Sequence, residues 1–153
     1  MSTPVANPGP FVAAMMRTAV EWAREQIFAG VLAAGYDDVN PAHMSLFRWP
    51  GMDHMRPTEL AEQMRITKQS VNDLLGHLEQ RGYLVREPDP ADGRARIVRL
   101  TPAGRRLDRT VNQEARAAEE RIAEMLGPKR FAELRRALEI LHGEISQERS
   151  EAP

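Results

Sequence analysis

The sequence predicts a mainly α-helical protein with one small β-hairpin, and three observations support this fold class. Apolar residues recur at every third or fourth position over most of the chain, which is the spacing of helices that bury one face. Two short β-compatible segments, 83–87 and 96–100, lie close together in the middle of the chain. A polar residue followed by proline at Asn40-Pro41 and Thr101-Pro102 is typical of helix starts. The predicted order is therefore four helices, two strands and two further helices.

Capping residues divide the helical pattern into separate elements. Asn40, Thr58, Thr67 and Thr101 are each predicted to cap a helix, and Gly82 is predicted to close the fourth one. The expected helices cover residues 11–34, 41–47, 59–64, 68–81, 102–126 and 128–148. The eight residues between the two strands contain two Pro, two Asp and one Gly, so they predict a loop too long for a two-residue turn.

The composition excludes several kinds of site. The chain has 153 residues, enough for one domain with its own core, and residues 10–148 are predicted to form it. The absence of Cys excludes disulfides, thiolate catalysis and Cys-ligated zinc. Residues 1–9 are predicted to be disordered, and they lack the pattern of a secretory signal. No run of eighteen apolar residues exists, so we expect a cytoplasmic protein.

Charge is distributed unevenly along the chain. The net charge is −1, but residues 56–109 hold eleven Lys or Arg against eight Asp or Glu, a local net charge of +3 that leaves −4 for the rest. A basic centre between acidic flanks suits a DNA reader on a scaffold. Ordinary fluctuation in a chain that is 28% charged is the alternative explanation.

The helix over residues 68–81 presents two different faces. Its apolar stripe, Val71, Leu74, Leu75 and Leu78, must be buried. The other face carries short or amide-bearing side chains: Lys68, Gln69, Ser70, Asn72, Asp73, Gly76 and His77. Gln and Asn can pair bidentately with adenine, and Lys can reach guanine or phosphate. This face is therefore predicted to enter the major groove of DNA.

Two features of this helix have alternative explanations. Thr67, Ser70 and the free N–H groups of the first turn can hold a phosphate, or Thr67 can act as a simple cap. Gly76 costs the helix about 1 kcal/mol relative to Ala. Its place on this face indicates either a close approach to DNA or close packing of another helix.

The segment between the strands carries a second basic feature. Gly93 permits a tight turn, and Asp92 can pair with Arg94 or with nearby backbone N–H groups. Arg94 is then predicted to enter the minor groove, where Arg is favoured, with Arg96 next to it. Arg86 and Arg99 are predicted to line the phosphate path. The alternative is a solvated, charged hairpin. Directly after a capped, amide-bearing helix, the DNA interpretation is favoured.

Several motifs in this region together resemble one protein family. They are 56–62, 67–70, 78–84, 89–96 and 100–104, with an Asp-x-Arg pattern at Asp92 and Arg94 followed by Leu100-Thr101. This region is similar to the MarR family of bacterial winged helix-turn-helix regulators. The resemblance implies a winged helix-turn-helix lobe over 40–101, flanked by dimerisation helices over 10–35 and 102–148. It also implies a homodimer on a pseudo-palindromic operator, usually a repressor that a small molecule releases.

The flanking helices also predict a dimer by their patterning alone. The first helix is apolar on more than one side, and the last helix has an apolar stripe with nothing after it to cover it. Packing the ends of two chains together would cover both and would place two reading helices on one face of DNA, about 34 Å apart. An intramolecular bundle in a monomer is the alternative.

Candidates for other kinds of site are weaker. Aromatic and thioether side chains could line an effector cavity, or could equally be core, at Trp22, Phe28, Met44, Phe47 and Trp49. The resemblance implies an aromatic or phenolic effector there. His43 and His54 stand near each other, with Asp53 adjacent, but packing or surface histidines are the favoured interpretation, so no metal and no cofactor is expected.

No arrangement of residues typical of an enzyme appears. The sequence lacks a nucleophile–base pair, a phosphate-binding Gly-rich loop and a carboxylate pair. The prediction is a sequence-specific transcriptional regulator. A winged-helix protein-interaction module or a nonspecific architectural DNA-binding protein is the alternative.

Overall fold

The computed structural model describes residues 9–47 and 51–151. Its elements are α1 (Val12–Ala33), α2 (Pro41–Met44), a 3₁₀ turn (Ser45–Phe47), α3 (Pro57–Met64), α4 (Lys68–Gln80), β1 (Leu84–Asp89), β2 (Asp92–Leu100), α5 (Pro102–Leu126) and α6 (Pro128–Glu151). This mainly helical architecture with a β-hairpin wing confirms the predicted fold class. The predicted disorder of residues 1–9 falls almost wholly outside the described residues.

Local signals in the sequence explain most of the helix limits. The side chain of Asn40 accepts a hydrogen bond from the His43 N–H (3.1 Å), and that of Thr67 accepts one from the Ser70 N–H (3.1 Å). Thr101 does the same for Gly104 at the start of α5 (3.1 Å). After α4 the chain turns through Gly82, whose φ of +76° favours glycine. These predicted caps and this predicted stop are confirmed.

The predicted start of α3 was wrong. The helix begins at Pro57 rather than after a Thr58 cap, because proline at the first helical position already has the required φ and lacks only an N–H that needs no partner there. Arg56 precedes it, and the Arg56 N–H donates to Glu59 Oε2 at 2.7 Å. Glu59 thus satisfies the N–H of the residue before the helix, and no hydrogen bond of a Thr58 cap is needed to begin α3.

The predicted eight-residue loop in the hairpin was also wrong. The strands continue until only Pro90 and Ala91 separate them. The register runs from Leu84 opposite Leu100 to Pro88 opposite Arg96, and then shifts so that Asp89 lies opposite Asp92. The shift places residues 93–95 of β2 in an irregularity of the ladder, which lets the hairpin absorb residues that looked like a loop.

One core joins the helix-turn-helix to the wing. Val71, Leu75 and Leu78 of α4 are fully buried, and Leu60 and Ala61 of α3 are nearly so. Leu74 is only partly buried against this core, so the predicted burial of the α4 stripe is confirmed at three of its four residues. The same core includes Leu84, Val98, Leu100 and Leu107. It therefore holds the base of the wing and the first turns of α5 against α4.

A short segment before α3 pairs with the wing, which the sequence analysis did not predict. The His54 N–H donates to the Val98 carbonyl (2.8 Å), and the Val98 N–H donates to the Met55 carbonyl (2.9 Å). Asp53 accepts a hydrogen bond from the Leu100 N–H at 2.9 Å. The outer edge of β2 is therefore covered at its base.

The chain divides into two compact units, Met1–Ala115 and Arg116–Pro153. The second unit contains the end of α5 and the whole of α6, which has no buried residue. Within it, Arg135 forms ion pairs with Glu119 and Glu139. The prediction of one domain over 10–148 stays a prediction. No helix among the described residues is long and apolar enough to cross a membrane.

Candidate nucleic-acid interface

The first turn of α4 is exposed and offers hydrogen-bond donors. Thr67 Oγ1 accepts from the Ser70 N–H, and the two hydroxyls lie 2.9 Å apart. Both side chains are exposed to solvent. Since the first N–H groups of a helix have no partner within it, this end of α4 can hold an anion as well as being capped.

The polar face of α4 keeps part of its hydrogen-bonding capacity free. Gln69 donates from Nε2 to Asp73 Oδ1 at 2.9 Å, which leaves its carbonyl oxygen and second amide proton available. Lys68 is exposed, and its ammonium group has no partner within the described residues. Lys68 and Gln69 therefore meet the requirements for contacts to base edges.

His77 lies on the α2 side of this surface. Its ring is edge-on to that of His43, with the ring centroids 5.8 Å apart. His77 is itself exposed, and its backbone carbonyl accepts a hydrogen bond from Arg81. Its ring can therefore be reached from solvent, although it partly covers His43.

The tip of the wing presents an arginine. Asp92 Oδ1 accepts a hydrogen bond from the Arg94 N–H at 3.1 Å, so Asp92 orders the backbone of this turn. This is the second of the two predicted roles of Asp92. The exposed guanidinium of Arg94 has no partner within the described residues, whereas Arg96 donates weakly to the Arg86 carbonyl (3.4 Å). Arg94 is therefore free to bind an acceptor outside the chain.

Arg86 is bound within the protein instead of facing solvent freely. Its guanidinium donates to Glu79 Oε2 through Nε (3.1 Å) and Nη2 (2.7 Å), and to Asn72 Oδ1 through Nη1 (3.2 Å). Asn72 in turn donates to the Lys68 carbonyl at 2.9 Å. The hydrogen bonds from Arg86 hold the pKa of Glu79 below its usual value. Two predicted DNA-binding side chains, Asn72 and Arg86, thus already have protein partners.

A second ion pair joins the residue before α3 to the end of β1. Arg56 binds Asp89 Oδ2 through Nε (2.7 Å) and Nη2 (2.5 Å). A hydrogen bond from the Ala91 N–H, followed by that from Arg56, lowers the pKa of Asp89. Three residues of this surface were not predicted from the sequence: Arg56, Asp89 and Glu79. The one local signal was that Glu79 stands seven residues after Asn72 and so lies on the same side of α4.

These groups enclose a groove between the helix-turn-helix and the wing. Its volume is about 730 Å³. The residues that line it come from α3, α4 and the wing: Arg56, Pro57, Thr58, Asn72, Glu79, Arg86, Ala95 and Arg96. Three arginines against one glutamate make its wall basic, which suits an anionic backbone.

The histidine and aromatic candidates lie elsewhere. His43 is buried, with 1% of its surface exposed, and Phe47 is a core residue. Phe28 and Met44 pack partly buried against the core, and Trp22 is half-buried. Trp49 lies outside the described residues. Within the described ranges, no group of three His, Asp or Glu residues is placed to hold a metal ion.

Comparison with known proteins adds to this geometry. Residues 37–95 match the model of the MarR family. The HTH-type transcriptional repressor Rv2887 of Mycobacterium tuberculosis is 34% identical over 83 residues, which are 54% of this chain and 60% of that repressor. The chain thus spans less than two thirds of the length of this relative.

Solved structures share the fold over most of the chain. The repressor CouR bound to a 23-mer DNA duplex has a TM-score of 0.68 and 23% identity, with 95% of this chain and 99% of CouR covered. The M. tuberculosis Rv2887 complex with salicylic acid has a TM-score of 0.67 and 24% identity, with 88% and 98% covered. At these identities the likeness concerns the fold.

Proposed function

We propose that this chain is a MarR-family, sequence-specific DNA-binding repressor that acts as a homodimer and is released by a small aromatic effector, as its matches to the family model and to a mycobacterial repressor support. The observation that carries this proposal is the exposed polar face of α4 beside a wing whose Arg94 has no partner within the described residues. A helix of this kind fits the major groove and an exposed arginine fits the adjacent minor groove. A cytoplasmic location and the absence of enzymatic activity belong to the same proposal.

The proposed contacts follow from the hydrogen-bonding groups of each side chain that have no partner among the described residues. Lys68 and Gln69 read base edges, and Thr67 and Ser70 position a phosphate at the start of α4. Arg94 enters the minor groove while Asp92 holds its backbone, as their hydrogen bond supports. Asn72 is proposed to read a base edge together with Gln69, and supporting contacts to the DNA backbone are assigned to His77, Arg86 and Arg96. Asp73 cannot donate to a phosphate, so its proposed role is to hold the amide of Gln69 through their hydrogen bond. Asn72 and Arg86 make their contacts only with the N–H groups that their protein partners leave free.

The homodimer is proposed from two uncovered apolar surfaces, one in each compact unit. At the start of α1, the N-cap residue Phe11 is 80% exposed, and Val12 and Met15 are 66% and 51% exposed. In α6, a stripe of large apolar side chains is exposed at Leu134, Leu138, Leu141 and Ile145. Contiguous apolar surface of this kind is typical of an interface, and a second copy of the chain is the proposed occupant.

The effector site is proposed near Trp22, Phe28, Met44, Phe47 and Trp49. The salicylic acid complex of the mycobacterial relative supports an aromatic acid as the class of effector. Since Phe28 and Met44 are only partly buried against the core, a planar ring could pack beside them without unfolding it.

Selection from random-sequence duplex DNA tests the proposed function. The wild-type protein should enrich a pseudo-palindromic sequence and bind it far more tightly than random competitor in a gel shift. Gln69→Ala should enrich a sequence altered at defined positions. Addition of salicylate should release the DNA. Absent binding, or strong binding indifferent to sequence, would indicate an interaction module or an architectural protein instead.

A further inference from the structure

We infer that Glu79 is a positioning residue that fixes the wing against α4 and thereby sets where Arg94 meets DNA. This inference rests on the proposed function. It assigns a role to an acidic side chain that itself has no expected contact with DNA. The same ion pair means that Arg86 connects β1 to α4 in addition to making its proposed contact with DNA.

The contacts of Glu79 tie it to both the backbone and the side chain of one residue. Glu79 Oε1 accepts from the Arg86 N–H at 3.0 Å, and Oε2 accepts from Nε and Nη2 of the same residue. A carboxylate that binds a backbone N–H and a guanidinium at once restricts both the position and the orientation of the strand. Asn72, on the same side of α4, adds a further acceptor for Arg86.

The Glu79–Arg86 pair lies where the apolar contacts between the wing and the core end. Leu84 and its partner Leu100 are buried and hold the base of the hairpin on α4. Two residues further along β1, the contact between Arg86 and α4 is polar. Further along β1, the Arg56–Asp89 pair anchors the end of the strand that is nearest the hairpin turn to the residue before α3. Arg94 lies in the irregular part of β2 beyond these anchors, so its position depends on them.

A purely electrostatic role for Glu79 predicts the opposite result. An ionised carboxylate in a groove lined by Arg56, Arg86 and Arg96 lowers the positive potential that attracts phosphates. If that were its main effect, removal of the charge would tighten DNA binding. If Glu79 positions the wing, removal of the charge weakens binding despite the more favourable net charge. The sign of the change therefore distinguishes the two roles.

A double-mutant cycle with Arg94 tests the inference, using the duplex that the wild-type protein selects. Glu79→Gln should weaken DNA binding by about tenfold. In that background, Arg94→Ala should reduce DNA affinity much less than it does in the wild type, because the effects of contacts that depend on each other are not additive. Glu87→Gln is the matched control. Glu87 follows Arg86 in β1 and pairs with Arg99 (2.6 Å) on the opposite face of the hairpin. Arg94→Ala should therefore weaken DNA binding by its full amount in the Glu87→Gln background.

A second variant separates charge from geometry and guards against unfolding. Glu79→Asp keeps the charge but is too short to reach both groups of Arg86, so it should also weaken binding while thermal melting shows a folded protein. Unchanged or tighter binding by Glu79→Gln, or additive costs of Glu79→Gln and Arg94→Ala, would overturn the inference. A wild-type protein that selects no duplex would instead refute the proposed function.

Discussion

Individual side chains on the proposed DNA-binding surface differ in how many of their polar groups already have a hydrogen-bond or ion-pair partner within the protein. Arg86 has acceptors for all three of its guanidinium nitrogens, and Arg56 is paired with Asp89. Arg94 has no such acceptor in the described part of the chain. Because a paired arginine must give up its partner before it can bind phosphate in full, Arg94 is expected to contribute more to DNA affinity than Arg86.

Arg94→Ala should therefore weaken DNA binding and leave folding intact. The substitution removes one cationic contact from each chain of the proposed dimer. The slope of log K against log salt should therefore shrink by up to about 2. Fluorescence anisotropy over a range of salt concentrations measures this slope, and thermal melting checks the fold. Arg17→Ala, an exposed arginine of α1 that pairs with Glu21, is the control and should keep the slope. An unchanged slope for Arg94→Ala would remove this residue from the interface.

His43 is a buried polar residue that affects stability. Its Nδ1 accepts the Asn40 N–H at 3.2 Å, so in the neutral form the proton lies on Nε2, which is buried without a partner among the described residues. Burial, followed by the nearby charges of Arg81 and His77, lowers the pKa of His43. Asp38 opposes this shift to a smaller degree.

The lowered pKa gives the folding stability a defined dependence on pH. The unfolded chain takes up a proton at His43 near pH 6.5, while the folded chain does so only at lower pH. Stability is therefore fully present above about pH 6.5 and is lost as the pH falls toward the folded-state pKa. His43→Asn should flatten the fall of Tm between pH 7.5 and 5.5. His142→Asn, at an exposed site on α6, should not. Equal slopes for wild type and His43→Asn would contradict this assignment.

Gly76 of α4 has open space beside it. A Cβ built at this position meets no heavy atom of the described residues within 4 Å, so packing of another described helix does not require the glycine. The position lies on the same side of the helix as Asn72, so a close approach to DNA stays the prediction for it. At Gly104 in α5, by contrast, a Cβ would clash with the carbonyl oxygen of Tyr83.

Gly76→Ala should stabilise the free protein and weaken its binding to DNA. Alanine favours a helix interior by about 1 kcal/mol, which raises Tm, while the added methyl group stands between α4 and the bases. Gly104→Ala should lower the free energy of unfolding by roughly 1–3 kcal/mol, since backbone must move to admit the methyl group. Melting curves and binding isotherms give both quantities. Full DNA affinity in Gly76→Ala would place this part of α4 away from DNA.

The two strands of the wing show how far the limits of an element can be predicted from the local sequence pattern. The strands were predicted in the right places but two to four residues too short at their inner ends. Pro88, Asp89, Asp92 and Gly93 are residues that disfavour regular strands, so they indicated a loop. Hydrogen bonds from Ala91 to Asp89 and from Arg94 to Asp92 hold these residues in the hairpin instead.

For the whole molecule, the proposed dimer depends on the exposed stripe of α6. Leu138→Glu should yield a monomer in light scattering, because it places a charge within the proposed interface, and should abolish operator binding by removing the second reading helix. Leu138 is 41% exposed in the single chain, so the substitution should not unfold it. Ala132→Glu adds the same charge on the other side of α6 and should remain a dimer. A dimeric Leu138→Glu variant would exclude this stripe from the interface.

The sequence by itself determined the order of the helices and strands, three of the four predicted caps, the buried stripe of α4 and the residue types available for DNA. All of these depend on residues within a turn or two of each other, where periodicity and capping chemistry act directly. Only the tertiary structure decided which polar groups are already paired. Arg56 and Asp89 are 33 residues apart, and Glu79 and Arg86 lie on different elements. Such pairs form because packing of α3, α4 and the wing brings the side chains within reach, and no local pattern encodes that distance.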